Sequence, residues 1–141
     1  MKNLKETINN GLRMYFFVMG NLSGRQQGIQ AGHAAIEYQL KYGDTEQYKD
    51  FANNHKTFIL LDGGGSNDMI EREKELEAYG IKFASFQEPD LNNSISAIAF
   101  IVPEDIYGRV TTTTPNIFDL INPDINTQFS MYLKGFRLAS N

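Results

Sequence analysis

A run of apolar and aromatic residues, Met14-Tyr15-Phe16-Phe17-Val18-Met19, ends at Gly20-Asn21, and a segment with apolar residues at helical spacing follows almost at once. A chain that switches period from strand to helix over so few residues has to bury one element against the other. That restricts it to layered α/β architectures. The run is short and aromatic, which suits a buried strand better than a helix. Ser23 precedes Gln26 at capping-box spacing, so its hydroxyl can accept from the Gln26 amide while the Gln26 side chain reaches back. The helix is therefore expected to start at Ser23. At about 100° per residue, Ile29, Gly32, Ile36 and Leu40 gather on one apolar face, with Gln26, Gln30, His33 and Glu37 along its border. Gly24, Gly28, Ala31 and Ala35 form a third stripe of small residues. Glycine within a helix costs roughly 1 kcal/mol relative to alanine, so the repeated glycines imply close approach, most simply by a sheet.

Downstream, Thr45 to Phe51 reads as a brief second helix joined through Gly43-Asp44. Thr57 to Leu61 reads as a strand, Asn67 to Tyr79 as a helix capped by Gly80, and Phe83 to Phe86 as a strand, in the order of a right-handed parallel βαβ crossover. From Asn92 to Val102, Ile95, Ala97, Ala99 and Ile101 alternate with Ser94, Ser96, Ile98 and Phe100, which predicts another strand covered on both faces toward its end. The fold class is α/β, a small mixed four-stranded sheet with helices on both faces.

The 141 residues, 41% of them hydrophobic, suffice for one domain with a real core. There are no cysteines, which excludes disulfides, a thiolate nucleophile and a cysteine zinc site. No apolar N-terminal segment has the length expected for export or a membrane span, so a cytoplasmic location and no membrane partner are expected. Thirteen Lys and Arg against 17 Asp and Glu give a net charge of -4, which argues against strong, salt-dependent, nonspecific nucleic-acid binding. A local basic patch could still draw on Arg25, Lys41, Lys49, Lys56, Lys82 or Arg109, although scattered lysines ordinarily form a solvated face.

Asp62-Gly63-Gly64-Gly65-Ser66 lies between a strand and a helix, where a phosphate loop could sit. It lacks a Gly-Lys-Ser/Thr ending, and Asp68 stands where a dinucleotide fingerprint needs glycine, so a flexible connector is favoured. His33 and His55 are the only histidines, and Glu37 makes at most a partial ligand pair with His33. No metal and no cofactor are expected. A nucleophile-elbow Gly-x-Ser-x-Gly is missing as well.

The order strand, turn, Gly24-Arg25, then Gln30-Ala31-Gly32-His33-Ala34-Ala35 resembles the type 2 peptidyl-tRNA hydrolases. Lys56 to Leu61 resembles that family's second strand, Asn67 to Gly80 its crossover helix, Ile81 to Gln87-Glu88 the strand that ends in Gln-Asp, and Ser96 to Pro103 its final strand. The likeness spans residues 13–107 of a single domain, 1–141, and leaves 108–141 as a C-terminal extension. The resemblance implies hydrolysis of the ester joining a peptide to the terminal ribose of tRNA, which recycles the tRNA, with tRNA or peptidyl-tRNA as partner. It further implies a catalytic set at Glu88, Gln26 and Asn92, the positions of the family's aspartate, lysine and threonine. Arg25, Gln30 and His33 would bind substrate, and Ser94 or Ser96 could supply the hydroxyl that Asn92 lacks.

Each of these residues also has a plain structural role open to it. Gln26 could serve only as the capping partner of Ser23, Gln30 could be solvated, His33 could be half-buried and bonded to backbone, and Glu88 before Pro89 could be a turn carboxylate. Two functions from different classes follow: an active ester hydrolase, or a catalytically inactive relative that binds tRNA, a nucleotide or a protein partner in the same cleft. A cation beside Glu88, from Arg25, Lys56 or Lys82, separates the two. A third reading is an interaction module whose function sits in an apolar surface of residues 115–138.

In the extension, Ile117 to Ile121 suggests a helical turn, Asn122-Pro123-Asp124 a turn, and Phe129, Met131 and Leu133 a strand. It could cover a sheet edge, act as a lid or build a dimer contact, so the reading allows a homodimer. Phe118, Phe129, Tyr132 and Phe136 are expected inside rather than displayed for base stacking. The functional expectation needs the start of the first helix and the end of the strand at Glu88 to share one cleft.

Overall fold

A computed structural model describes residues 11–109 and 123–140. Strand β1 (Arg13–Met19) is central, with β2 (Thr57–Gly64) parallel on one side and β4 (Ser94–Val102) antiparallel on the other. β3 (Ala84–Glu88) closes the far edge antiparallel to β4, giving the order β2-β1-β4-β3. The expected small mixed four-stranded sheet is thus present. Its central position explains why β1 is an unbroken apolar run. Met14, Phe16 and Val18 pack on one face with Ala31, Ala34 and Tyr38, while Tyr15, Phe17 and Met19 pack on the other with Met69, Leu76, Phe129 and Leu133.

The first face is covered by helix α1 (Gly24–Tyr42), followed by a short α2 (Glu46–Asp50) and one π-helical turn over Phe51–His55. α3 (Ser66–Ala78) and α5 (Ile125–Lys134) cover the second, and α4 (Glu104–Tyr107) is a single turn after β4. Helices therefore lie on both faces. The parallel neighbours are β1 and β2; β2 and β3, which α3 connects, run the same way but occupy opposite edges.

Three sequence expectations are corrected. The stripe Ile29, Ile36 and Leu40 does not meet the sheet: these side chains are 43%, 57% and 77% exposed. The face that packs is Gln27, Gln30, Ala31, Ala34 and Tyr38, because small residues let α1 lie close to β4 and β3 while two glutamines find partners beneath it. Gly28 and Gly32 likewise do not mark close approach, since a methyl group at either would meet nothing within 4 Å. Finally, Phe129, Met131 and Leu133 belong to α5, not to a strand. Asp124 caps that helix by accepting from Thr127 N at 2.8 Å, and Thr127, Phe129, Ser130 and Leu133 are buried at helical spacing.

Phe129, Tyr132 and Phe136 pack inward as expected, Phe136 against Phe17 at 4.7 Å between ring centres. The proposed turn at 117–121 and Phe118 lie outside the described residues. Beyond α5 the chain runs along β2. Leu138 bridges Leu61, Asp62 N donates to Arg137 O at 3.0 Å and Ala139 N to Leu60 O at 2.9 Å. The extension thereby covers the β2 edge.

Candidate functional site

The cleft begins with the helix start. Ser23 is the N-cap, its hydroxyl accepting from Gln26 N at 3.2 Å. Only this half of the capping box forms, because the Gln26 side chain turns along the helix and its Oε1 accepts from Gln30 Nε2 at 3.5 Å. Gln30, one turn further, is almost fully buried. A buried amide has to satisfy both ends. Ser96 Oγ donates to Gln30 Oε1 at 2.5 Å, and Gln30 Nε2 donates to Glu88 Oε1 at 2.8 Å. These two bonds fix the direction of the amide and carry it from β4 to the C-terminal end of β3.

A β-bulge supplies Ser96. The register of β3 on β4 slips between Phe86 and Gln87, which pair with Ala97 and Ile95 and leave Ser96 as the extra residue. On one side of the slip Ala97, Ala99 and Ile101 face α1; on the other, Ile95 joins the opposite cluster. The strict alternation expected from residues 92 to 102 therefore breaks at Ser96. The break frees its hydroxyl to face Gln30 and, at 3.4 Å, the Phe86 carbonyl. Ser96 and Phe86 are the members of the site that sequence reasoning underused. The available signal was a serine within an otherwise apolar strand, matched by a glutamine among the small residues of α1.

Glu88 is partly exposed. The Gln30 amide, then Asp90 N donating to Oε2 at 3.3 Å, and to a lesser degree the charge of nearby His33, hold its carboxyl below the usual glutamate range against a small desolvation effect. His33 packs against Phe86, ring centres 4.6 Å apart and tilted by 33°, close enough to Glu88 for its charge to act on the carboxylate. The start of α1 and the end of β3 come together, and Gln26, Gln30, His33 and Glu88 are neighbours there.

Arg25 and Asn92 are not drawn in. Arg25 is exposed on the outer side of α1, with no partner among the described residues. Asn92 sits in the left-handed region at φ 56 on the β3–β4 turn, exposed, with only the neighbouring Asn93 N donating back to Glu88 O at 2.9 Å. No Lys or Arg among the described residues contacts Glu88. Lys56 Nζ donates to Asn53 O at 3.3 Å, and Lys82 lies over the Tyr42 ring at the opposite end of β3. Lys41 Nζ donates to Phe83 O, and Lys49 and Arg109 pair with Glu46 and Asp124, so these cations form no shared patch with the cleft.

Elsewhere, the glycine segment is tied by its own carboxylates. Asp62 Oδ1 accepts from Gly64 N and Asp68 Oδ2 from Gly65 N, both at 2.9 Å, and Asp68 thereby occupies the α3 N-terminus that a phosphate would need. Among the described residues no group of three or more His, Cys, Asp or Glu is placed to hold a metal ion, and no helix is long and apolar enough to cross a membrane. Neither a family model nor a curated protein matches the chain.

Proposed function

We propose that the chain hydrolyses the ester linking a peptide to the terminal ribose of tRNA. The observation supporting this reading is the Gln30 to Glu88 hydrogen bond, which joins the helix carrying the Gln-x-x-His-Ala-Ala segment to the strand ending in Gln87-Glu88. Ester hydrolysis needs an oriented water and a donor for the carbonyl oxygen as it becomes negative. Glu88 orients the water by accepting one of its hydrogens. The water oxygen bonds to the ester carbon while that proton passes to Glu88. The carbon–oxygen bond to the ribose then breaks, and the leaving oxygen takes the proton back. A carboxylate held below its usual range is a weak base, so its main contribution is orientation. The amide of Gln26, whose nitrogen is left free when its oxygen accepts from Gln30, is the donor for the oxyanion, His33 borders the acyl group, and Arg25, exposed on the outer side of α1, meets tRNA phosphate.

Glu88→Gln tests this on a model peptidyl-tRNA. Glutamine can still accept from Gln30, so the fold is expected to survive while peptide release is lost. Absence of release by the unmutated chain would overturn the proposal. A second reading, a tRNA-binding protein without turnover, is favoured by one observation: no Lys or Arg contacts Glu88 within the described residues. Under both readings Arg25→Ala should weaken tRNA binding and flatten its dependence on salt by a slope of about 1. Hydrolysis by the unmutated chain separates the two.

A further inference from the structure

The sheet has one edge that the described residues leave unpaired. The C-terminal segment covers β2, but β3 has only β4 beside it. The Phe86 carbonyl points inward, toward Ser96 Oγ. By the alternation of a strand, the N–H and C=O groups of Ser85 and Gln87 point outward. Flanking this edge, Leu40 of α1 lines a hollow of about 340 Å³ with Glu37, Lys41, Ala84 and Ser85. Ile29 and Ile36 continue the same exposed stripe along the helix, next to His33. An open strand edge beside an exposed aliphatic helix stripe is a surface that water does not favour.

We propose that a second copy of this chain occupies it, pairing β3 with β3 antiparallel about a two-fold axis at Ser85. Symmetry then dictates the other contacts. Ser85 exchanges two backbone hydrogen bonds with its own equivalent, and Phe83 lies opposite the partner's Gln87. The two α1 helices meet antiparallel, with the Ile36 and Leu40 stretches nearest Ser85 facing each other across the axis. Lys82 lies across from the partner's Glu88 on the face that carries α1, so opposite charges meet at both ends of the pairing. Within one copy Lys82 stands at the far end of β3 from Glu88, over the ring of Tyr42. The partner's Lys82 therefore supplies the cation that each cleft lacks. Its role in ester hydrolysis rests on the function proposed above, whereas the pairing itself does not.

Sedimentation equilibrium on the full chain tests the pairing. The unmutated chain is expected to be a dimer, and Leu40→Glu, at a side chain exposed in the single copy, is expected to be a monomer with unchanged circular dichroism. Lys82→Glu and Glu88→Lys should each raise the dimer dissociation constant at least tenfold, and the two together should restore it. A monomeric unmutated chain would overturn the inference, as would a double variant no tighter than the singles. Peptide release by the unmutated chain is measured separately. A dimer without release would overturn the proposed function alone, and release by a monomer would overturn this inference alone.

Discussion

At the scale of single residues, the polarity of one buried amide organises the cleft. Gln30 has a donor and an acceptor end, and Ser96 engages the acceptor, so the donor has to face Glu88. This direction explains why the Glu88 carboxyl titrates low. The sign of its effect on folding follows. A carboxyl held lower in the folded state than in the unfolded one stabilises the fold at pH above its ordinary value of 4.5, and the benefit disappears as pH falls below that value toward the folded one. Gln30→Ala removes the largest cause, so Glu88 should titrate nearer its ordinary value and the acid side of the stability profile should flatten. Carbon NMR of the Glu88 carboxyl through an acid titration measures this. An unmoved titration would assign the effect to the Asp90 N–H instead. Glu88 and Gln30 were both legible in the sequence as members of one cleft. Ser96 was only half legible, because alternation alone assigns a strand residue to a face and a bulge changes that assignment.

At the scale of elements, the start of α1 was readable because Ser23 and Gln26 carry a local signal, and local signals survive folding. Its buried face was not. Pattern reading assigns the most apolar stripe to the core, yet β3 and β4 present mainly Ala84, Ala97 and Ala99 to α1, so the helix lies close to them and the face that fits is one of small residues. Ala31 and Ala34 fit, Gln27 and Gln30 find backbone and side-chain partners, and Ile29, Ile36 and Leu40 are left outside. The same reasoning inverts the meaning of the glycines. A methyl group at Gly28 or Gly32 would stand in open space, and neither residue has a positive φ. Gly28→Ala should therefore stabilise the chain by about 0.5–1 kcal/mol, through the smaller backbone entropy of the unfolded state. Urea unfolding measures the change. Destabilisation would show that the small stripe carries a contact after all. In α5 the error was of the opposite kind. Phe129, Met131 and Leu133 fit a period of two over a short window, and only the cap at Asp124 with the burial of Thr127 and Ser130 identifies the helix.

At the scale of the whole molecule, the C-terminal extension completes the second layer and protects one edge of the sheet. Phe129 stacks beside Tyr132, whose hydroxyl donates to the Glu75 carboxylate, and Glu75 also receives Arg72 Nε at 2.7 Å. Arg72 lies 5.0 Å over the Phe136 ring, and Phe136 packs on Phe17 of the central strand. This chain of contacts leads from α3 through α5 to β1, and the last few residues then pair with β2. Removing everything after Gly135 would take away the Phe136 packing and the partners of Asp62 N–H and Leu60 C=O, leaving α5 in place. Phe136 is only partly buried, so its loss costs less than the ~3–5 kcal/mol of a fully buried aromatic, and the lost backbone pairing adds to it. The shortened chain should thus melt at a clearly lower temperature. Its β2 edge, carrying exposed Phe58, would then be open to other chains, so light scattering should rise with concentration well before the melting transition. The α1–β3 cleft lies at the opposite edge of the sheet, so Glu88 should keep its low titration in the shortened chain while it remains folded. A shortened chain with the original melting temperature would show that the extension merely lies on a sheet that is stable without it.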